Sequence, residues 1–164
     1  MRDTDFTAPV RVRERPRPKE SEADEDAIAV DGFKPLLPEG RWFEARFDDY
    51  STAIIFGAHK VFWEFTIVEP GEWFDHKLFR AFRVRKVIGR PARHGKFVIS
   101  AGGDMYDLLV RLLDVRLRAD RISLRPLKPM LFRILTRTVR TNHKQQPIPE
   151  HARYSVIDAI ERNE

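Results

Sequence analysis

The chain has 164 residues, with 30 Lys and Arg against 25 Asp and Glu, a net charge of +5 and no cysteine. One domain of this length can bury a core unaided, and the lack of cysteine excludes disulfides, thiolate metal sites and thiol nucleophiles. No apolar run approaches the roughly 18 residues of a membrane span, and the opening Met-Arg-Asp-Thr-Asp-Phe lacks the order of a secretory signal, so a soluble cytoplasmic protein is expected.

Residues 1–31 carry six basic and nine acidic side chains, Pro9, Pro16 and Pro18, and an acidic piece from Glu20 to Asp26. That composition predicts a disordered or weakly ordered tail, in which the acidic piece reads first as a solvated charge run. The other residues carry 24 basic and 16 acidic side chains, a net +8, and residues 32–164 are read as one folded domain.

Period two predicts the first strands. In Arg41–Phe47, Phe43, Ala45 and Phe47 share one face and Trp42, Glu44 and Arg46 the other. Over Lys60–Val68, Val61, Trp63, Phe65 and Ile67 form an apolar row opposite Phe62, Glu64 and Thr66. The segment between them, Tyr50 to His59, is ambiguous and can extend a strand up to Gly57. Pro70-Gly71 signals a turn, so a third strand is expected from Lys77 to Ile88, with Phe79, Ala81, Arg83 and Arg85 on one face. A basic loop, Gly89–Gly95, leads to a short strand over Lys96–Ile99. Asp104–Val115 is the one helix: Met105, Leu108, Leu109 and Leu112 recur at helical spacing, and Asp104 and Asp107 sit where the helix dipole favours negative charge. Strands at Leu131–Thr141 and Arg153–Asp158 complete the chain.

Three strands, a helix and two strands is the order of the OB-fold, a five-stranded Greek-key barrel whose second and third strands and neighbouring loops bind oligonucleotides. The expected fold is therefore mainly β, an OB-like barrel with its helix between the third and fourth strands. Charge points the same way: Lys77–Lys144 holds eighteen Lys and Arg and four acids, Asp104, Asp107, Asp114 and Asp120. A cationic surface laced with aromatics is the footprint of a nucleic-acid binder.

Single-strand binding needs cations along the phosphates and aromatic faces for the bases. The alternation leaves Trp42, Phe62 and Phe79 off the apolar faces, with Arg46, Arg83 and Arg85 as companions. Arg90, Arg93, His94 and Lys96 follow the third strand, and Arg133, Arg137, Arg140 and Lys144 lie on the fourth strand and its loop. An ordinary surface intersperses both signs, whereas this stretch has few acids, so these cations read as phosphate contacts. Arg116, Arg118, Arg121 and Arg125 lie nearer Asp114 and Asp120 and suit ordinary ion pairing.

The run from Leu37-Pro-Glu-Gly-Arg-Trp42 through Pro70-Gly71 and the helix to Arg153-Tyr-Ser-Val-Ile-Asp158 resembles small OB-fold single-stranded-DNA-binding proteins of phages and other mobile elements, over residues 36–160. The resemblance implies single-strand binding in replication or recombination, and contacts with the proteins of those processes. It transfers no contact residue, and the acidic C-terminal tail of many bacterial single-strand binders is missing from this sequence.

Two other readings stay open. An interaction module would set the cationic face against an acidic protein, and would survive nuclease digestion in a pull-down. A metal-dependent nuclease would use Asp75-His76-Lys77 with Asp48 or Asp49. The five histidines, His59, His76, His94, His143 and His151, show no close ligand pair. With no glycine-rich phosphate loop or nucleophile elbow either, no catalytic residue, metal or cofactor is expected. DNA against RNA and homo-oligomerisation are left open.

Overall fold

The computed structural model describes residues 34–113 and 122–164; the readings of the tail at 1–31 and of Asp114, Arg116, Arg118, Asp120 and Arg121 fall outside the described residues. The elements in chain order are β1 (Trp42–Ile55), β2 (Ala58–Ile67), β3 (Lys77–Arg83), β4 (Lys86–Ile88), β5 (Lys96–Val98), α1 (Asp104–Leu113), β6 (Leu131–Val139) and β7 (Tyr154–Arg162). The protein is mainly β, with a five-stranded antiparallel sheet in the order β3-β2-β1-β6-β7 and a small second sheet, β4-β5.

The period-two rows form the core. Phe43, Ala45 and Phe47 of β1 and Val61, Trp63, Phe65 and Ile67 of β2 are all buried. Phe47 meets Trp63 and Phe65 edge-on, and Phe65 meets Phe132 of β6 edge-on; each such side chain contributes on the order of 1.5–3 kcal/mol by leaving water. One stripe of α1, with Met105, Leu108, Leu109 and Leu112, is buried in the same core, and the helix packs against both β3 and β7.

The ambiguous segment extends β1 to Ile55, and the chain reverses through Phe56 and Gly57, whose φ angles are 49° and 75°. Two positive φ values define the tight turn that suits the twist of a two-residue hairpin. A bulge between Phe47 and Asp49 shifts the register, so that Phe47 pairs with Phe65 and Asp49 with Glu64. One extra residue re-aims the rest of the strand.

The third strand ends sooner than its composition predicts. Lys60 pairs with Arg83, so residues past Arg85 would need partners where β2 has already given way to its hairpin turn. The chain leaves the sheet there and forms β4, which pairs with β5 and is held to β2 by a hydrogen bond from the Val87 amide to His59 Nδ1, 2.9 Å. The expected closure of the barrel is corrected too. Among the described residues no strand pairing joins β3 to β7, and both are edges of the sheet. The strap ahead of β1 covers part of the β7 edge: the Ser155 amide donates to the Pro35 carbonyl at 2.9 Å, and the Leu37 amide donates to Ser155 Oγ at 2.7 Å.

Candidate nucleic-acid interface

The register of β1, β2 and β3 lays out the outward face in rows. Lys60 lies directly opposite Arg83, Phe62 lies between Ser51 and Ala81, and Glu64 lies between Asp49 and Phe79. Phe62 and Phe79 are thus diagonal neighbours on adjacent strands, within reach of one another across the sheet. Phe79 is 42 % exposed. Like charges directly opposite in an antiparallel pair repel, and among the described residues neither Lys60 nor Arg83 holds a carboxylate. This rung carries two facing cations.

The basic loop after β4 is built onto this face. Past its bulge, β1 loses β6 as a neighbour and takes the loop instead. Arg93 bridges to Ser51, the Thr52 amide donates to the Ala92 carbonyl at 3.0 Å, and the His94 amide donates to the Tyr50 carbonyl at 3.2 Å. Asp49 fastens the loop from beneath, accepting from Arg93 Nε at 2.7 Å, from the Tyr50 amide at 2.9 Å and from the His94 ring. Burial alone would push the Asp49 carboxyl up, but the bonds from Arg93, Tyr50 and His94 outweigh it and hold it below the ordinary carboxylate range. The Arg93 guanidinium still shows most of its surface to water. Gly95 is required there, because a Cβ would meet Thr52 Oγ1.

Of the sequence-selected residues, Phe62, Phe79, Arg83, Arg85 and Arg93 share this region, and Arg90 and Lys96 are exposed on the loop and on β5. Trp42 and Arg46 lie farther down β1; Trp42 is nine residues from Ser51, roughly 25–30 Å at strand rise. The Trp42 indole is half-buried, with the Arg133 guanidinium over its ring at 5.2 Å. Arg137 pairs with Asp158 at 3.2 Å, and Arg140 grips Glu39 with both terminal nitrogens, at 2.9 and 2.6 Å. Lys144 is exposed in the loop between β6 and β7.

The reading that these cations lack acidic counterparts is therefore corrected. Arg93, Arg137, Arg140 and Lys77 find carboxylates in Asp49, Asp158, Glu39 and Glu64, and Arg46 finds Asp48. All of these acids lie outside the 77–144 interval. Arg125 holds no ion pair with another described residue. Of the residues named for the alternative nuclease site, Asp48 accepts from Thr66 and Arg46, Asp49 from the basic loop, and Lys77 pairs with Glu64 at 2.8 Å, while Asp75 is exposed.

Three residues of this region escaped the sequence reading. Lys60 sits on the same alternation as Phe62, which was its visible signal. Phe56 is 80 % exposed at the hairpin tip, and its ring stacks on His143 with centroids 4.4 Å apart and planes at 23°. Only the fold brings the β1–β2 turn to the β6–β7 loop. A bulky residue at positive φ marks a site where something other than local preference decides the sequence.

No family model matches the chain, and no curated protein or solved structure matches it significantly.

Proposed function

We propose that the protein binds single-stranded nucleic acid, with DNA the first form to test, across the outward face of β2 and β3 and the loops beside it. The carrying observation is the rung of Lys60 opposite Arg83, with Phe62 one rung and Phe79 two rungs farther along the same face. Phosphates answer the paired cations, and bases stack on the two rings, each worth roughly 1–3 kcal/mol. Sequence preference along the face is weak, since every base has a flat side and none of these contacts reads a base edge.

The finer fold reading supports this. Three hairpin-connected strands, β1 to β3, followed by a fourth that returns beside the first, are a Greek key, and the OB-fold is a partly open Greek-key barrel that binds oligonucleotides on the matching strands and loops. With β1, β2, β3, β6 and β7 as its five strands, Phe56 falls in the first hairpin and His143 in the last connection. Action in replication or recombination of a mobile element follows from the same resemblance.

The test is a titration of labelled oligo-dT against the full chain over a range of salt. Binding that weakens linearly on logarithmic axes, by about 0.7 per neutralised phosphate, is the expected result. No binding at low salt, or binding indifferent to salt, overturns the proposal. Among the described residues no helix is long and apolar enough to cross a membrane.

A further inference from the structure

We propose that the groove beside the end of β3 is a base pocket selective for guanine, an inference that rests on the single-strand binding proposed above. The groove has a volume of about 330 Å³ and is lined by Arg83, Arg85, Ser100, Gly103, Asp104 and Tyr106 over a floor that includes buried Val84 and Met105. That volume lies at the low end of ligand-sized pockets and has room for one base. Arg83 belongs both to this groove and to the Lys60 rung, so the pocket continues the cationic path without a break.

Its charge is divided. Two arginines and one aspartate line the same groove, and among the described residues no ion pair joins Asp104 to Arg83 or Arg85. A simple anion suits the arginines but is repelled by Asp104. A nucleotide suits both: its phosphate meets Arg83 and Arg85, its ring lies against half-buried Tyr106, and its edge faces Asp104.

A carboxylate only accepts hydrogen bonds, so it selects the edge richest in donors. Guanine alone presents two adjacent donors on its pairing edge, N1–H and the N2 amino group, and engages both carboxylate oxygens. Cytosine and adenine each offer one amino group beside an acceptor nitrogen. Thymine offers one N–H between two carbonyls, which the carboxylate repels.

The experiment compares full-length protein on labelled oligo-dT, the same strand with one central dG, and the same strand with inosine, which lacks the N2 amino group. The dG strand is expected to bind about tenfold tighter than oligo-dT, the scale of one two-bonded base contact, with inosine between them. Asp104→Asn is expected to abolish the dG advantage while tightening oligo-dT, because a charge that repels the strand is gone. Equal binding of the three strands by the wild-type chain overturns the pocket and leaves single-strand binding standing. Failure to bind any of them overturns both. A uniform loss on all three strands in Asp104→Asn gives Asp104 a purely structural role and also overturns the pocket. The wild-type comparison needs no variant, so it decides even if Asp104→Asn does not fold.

Discussion

Arg80 of β3 reaches across the open seam of the sheet and donates from Nη1 to the Ile157 carbonyl of β7 at 3.2 Å, and to the neighbouring Asp158 carbonyl. A side chain thus supplies part of what strand pairing does elsewhere in the sheet. The two carbonyls flank the irregularity in the β6–β7 register, where the edge of β7 presents acceptors in close succession. Pro35 on Ser155 and Arg80 on Ile157 thus occupy the first half of that edge, where another strand would otherwise pair.

Arg80→Met removes both bonds at similar length of side chain. A loss of about 1–3 kcal/mol is expected, the cost of stranding partly buried acceptors, read as a lower urea midpoint with an unchanged slope. With the seam unguarded, sedimentation should also show association that rises with concentration. Unchanged stability and a monomer at all concentrations would mean that α1 alone covers the seam.

The Lys60–Arg83 rung separates folding from binding. Lys60→Gln removes one of two facing like charges, so stability should rise by a few tenths of a kcal/mol at low salt, and the gain should fade as salt screens the rest. Oligo-dT affinity should fall in the same variant, and its salt dependence should lose about 0.7 from the slope, one phosphate's share. A drop in both stability and binding would identify Lys60 as an ordinary structural residue.

The core was legible because period two is a local property. The row Val61, Trp63, Phe65, Ile67 needs no knowledge of its neighbours to be seen, and every member is buried. Strand ends are not local: β3 cannot run on to Ile88 because β2 begins at Ala58, a constraint that no composition near residue 84 carries. Ion pairing failed for the same reason. The partners of Arg93 and Arg140 lie 44 and 101 residues away, so the acids that neutralise them are set by the fold and not by the surrounding sequence. The outward alternation of Phe62, Phe79 and Arg83 was visible from sequence, whereas the meeting of Phe56 with His143 required the fold.

Phe56 occupies a turn position that favours Asn or Gly, since both central residues need positive φ. Phe56→Asn creates the preferred Asn-Gly turn and should stabilise the protein by about 0.5–1 kcal/mol, less than the 1–2 kcal/mol cost of left-handed backbone because the stack on His143 is lost. Oligonucleotide affinity should weaken nonetheless, by up to the value of one stacked base. Thermal melts and oligo-dT titrations of the same preparation decide the matter: a destabilised variant, or one that binds as tightly as the wild type, removes the functional reading of the tip.

Glu39 ties the strap ahead of β1 to β6, and the tie titrates. The paired hydrogen bonds from Arg140, joined by the Thr138 amide at 3.3 Å, lower its carboxyl from the ordinary 4.5 to about 2. A carboxyl depressed in the folded state favours folding wherever the unfolded chain would bind the proton first. Its contribution is therefore complete above pH 4.5 and is lost progressively as the pH falls from there towards 2. Glu39→Gln keeps the shape and removes the titration. The variant should be less stable than the wild type at neutral pH, and the gap should close between these two pH values. Urea midpoints measured across that range test it directly, with carboxyl NMR shifts as the residue-level check. A gap that stays constant down to pH 2 would show that the Arg140 bonds do not hold in solution.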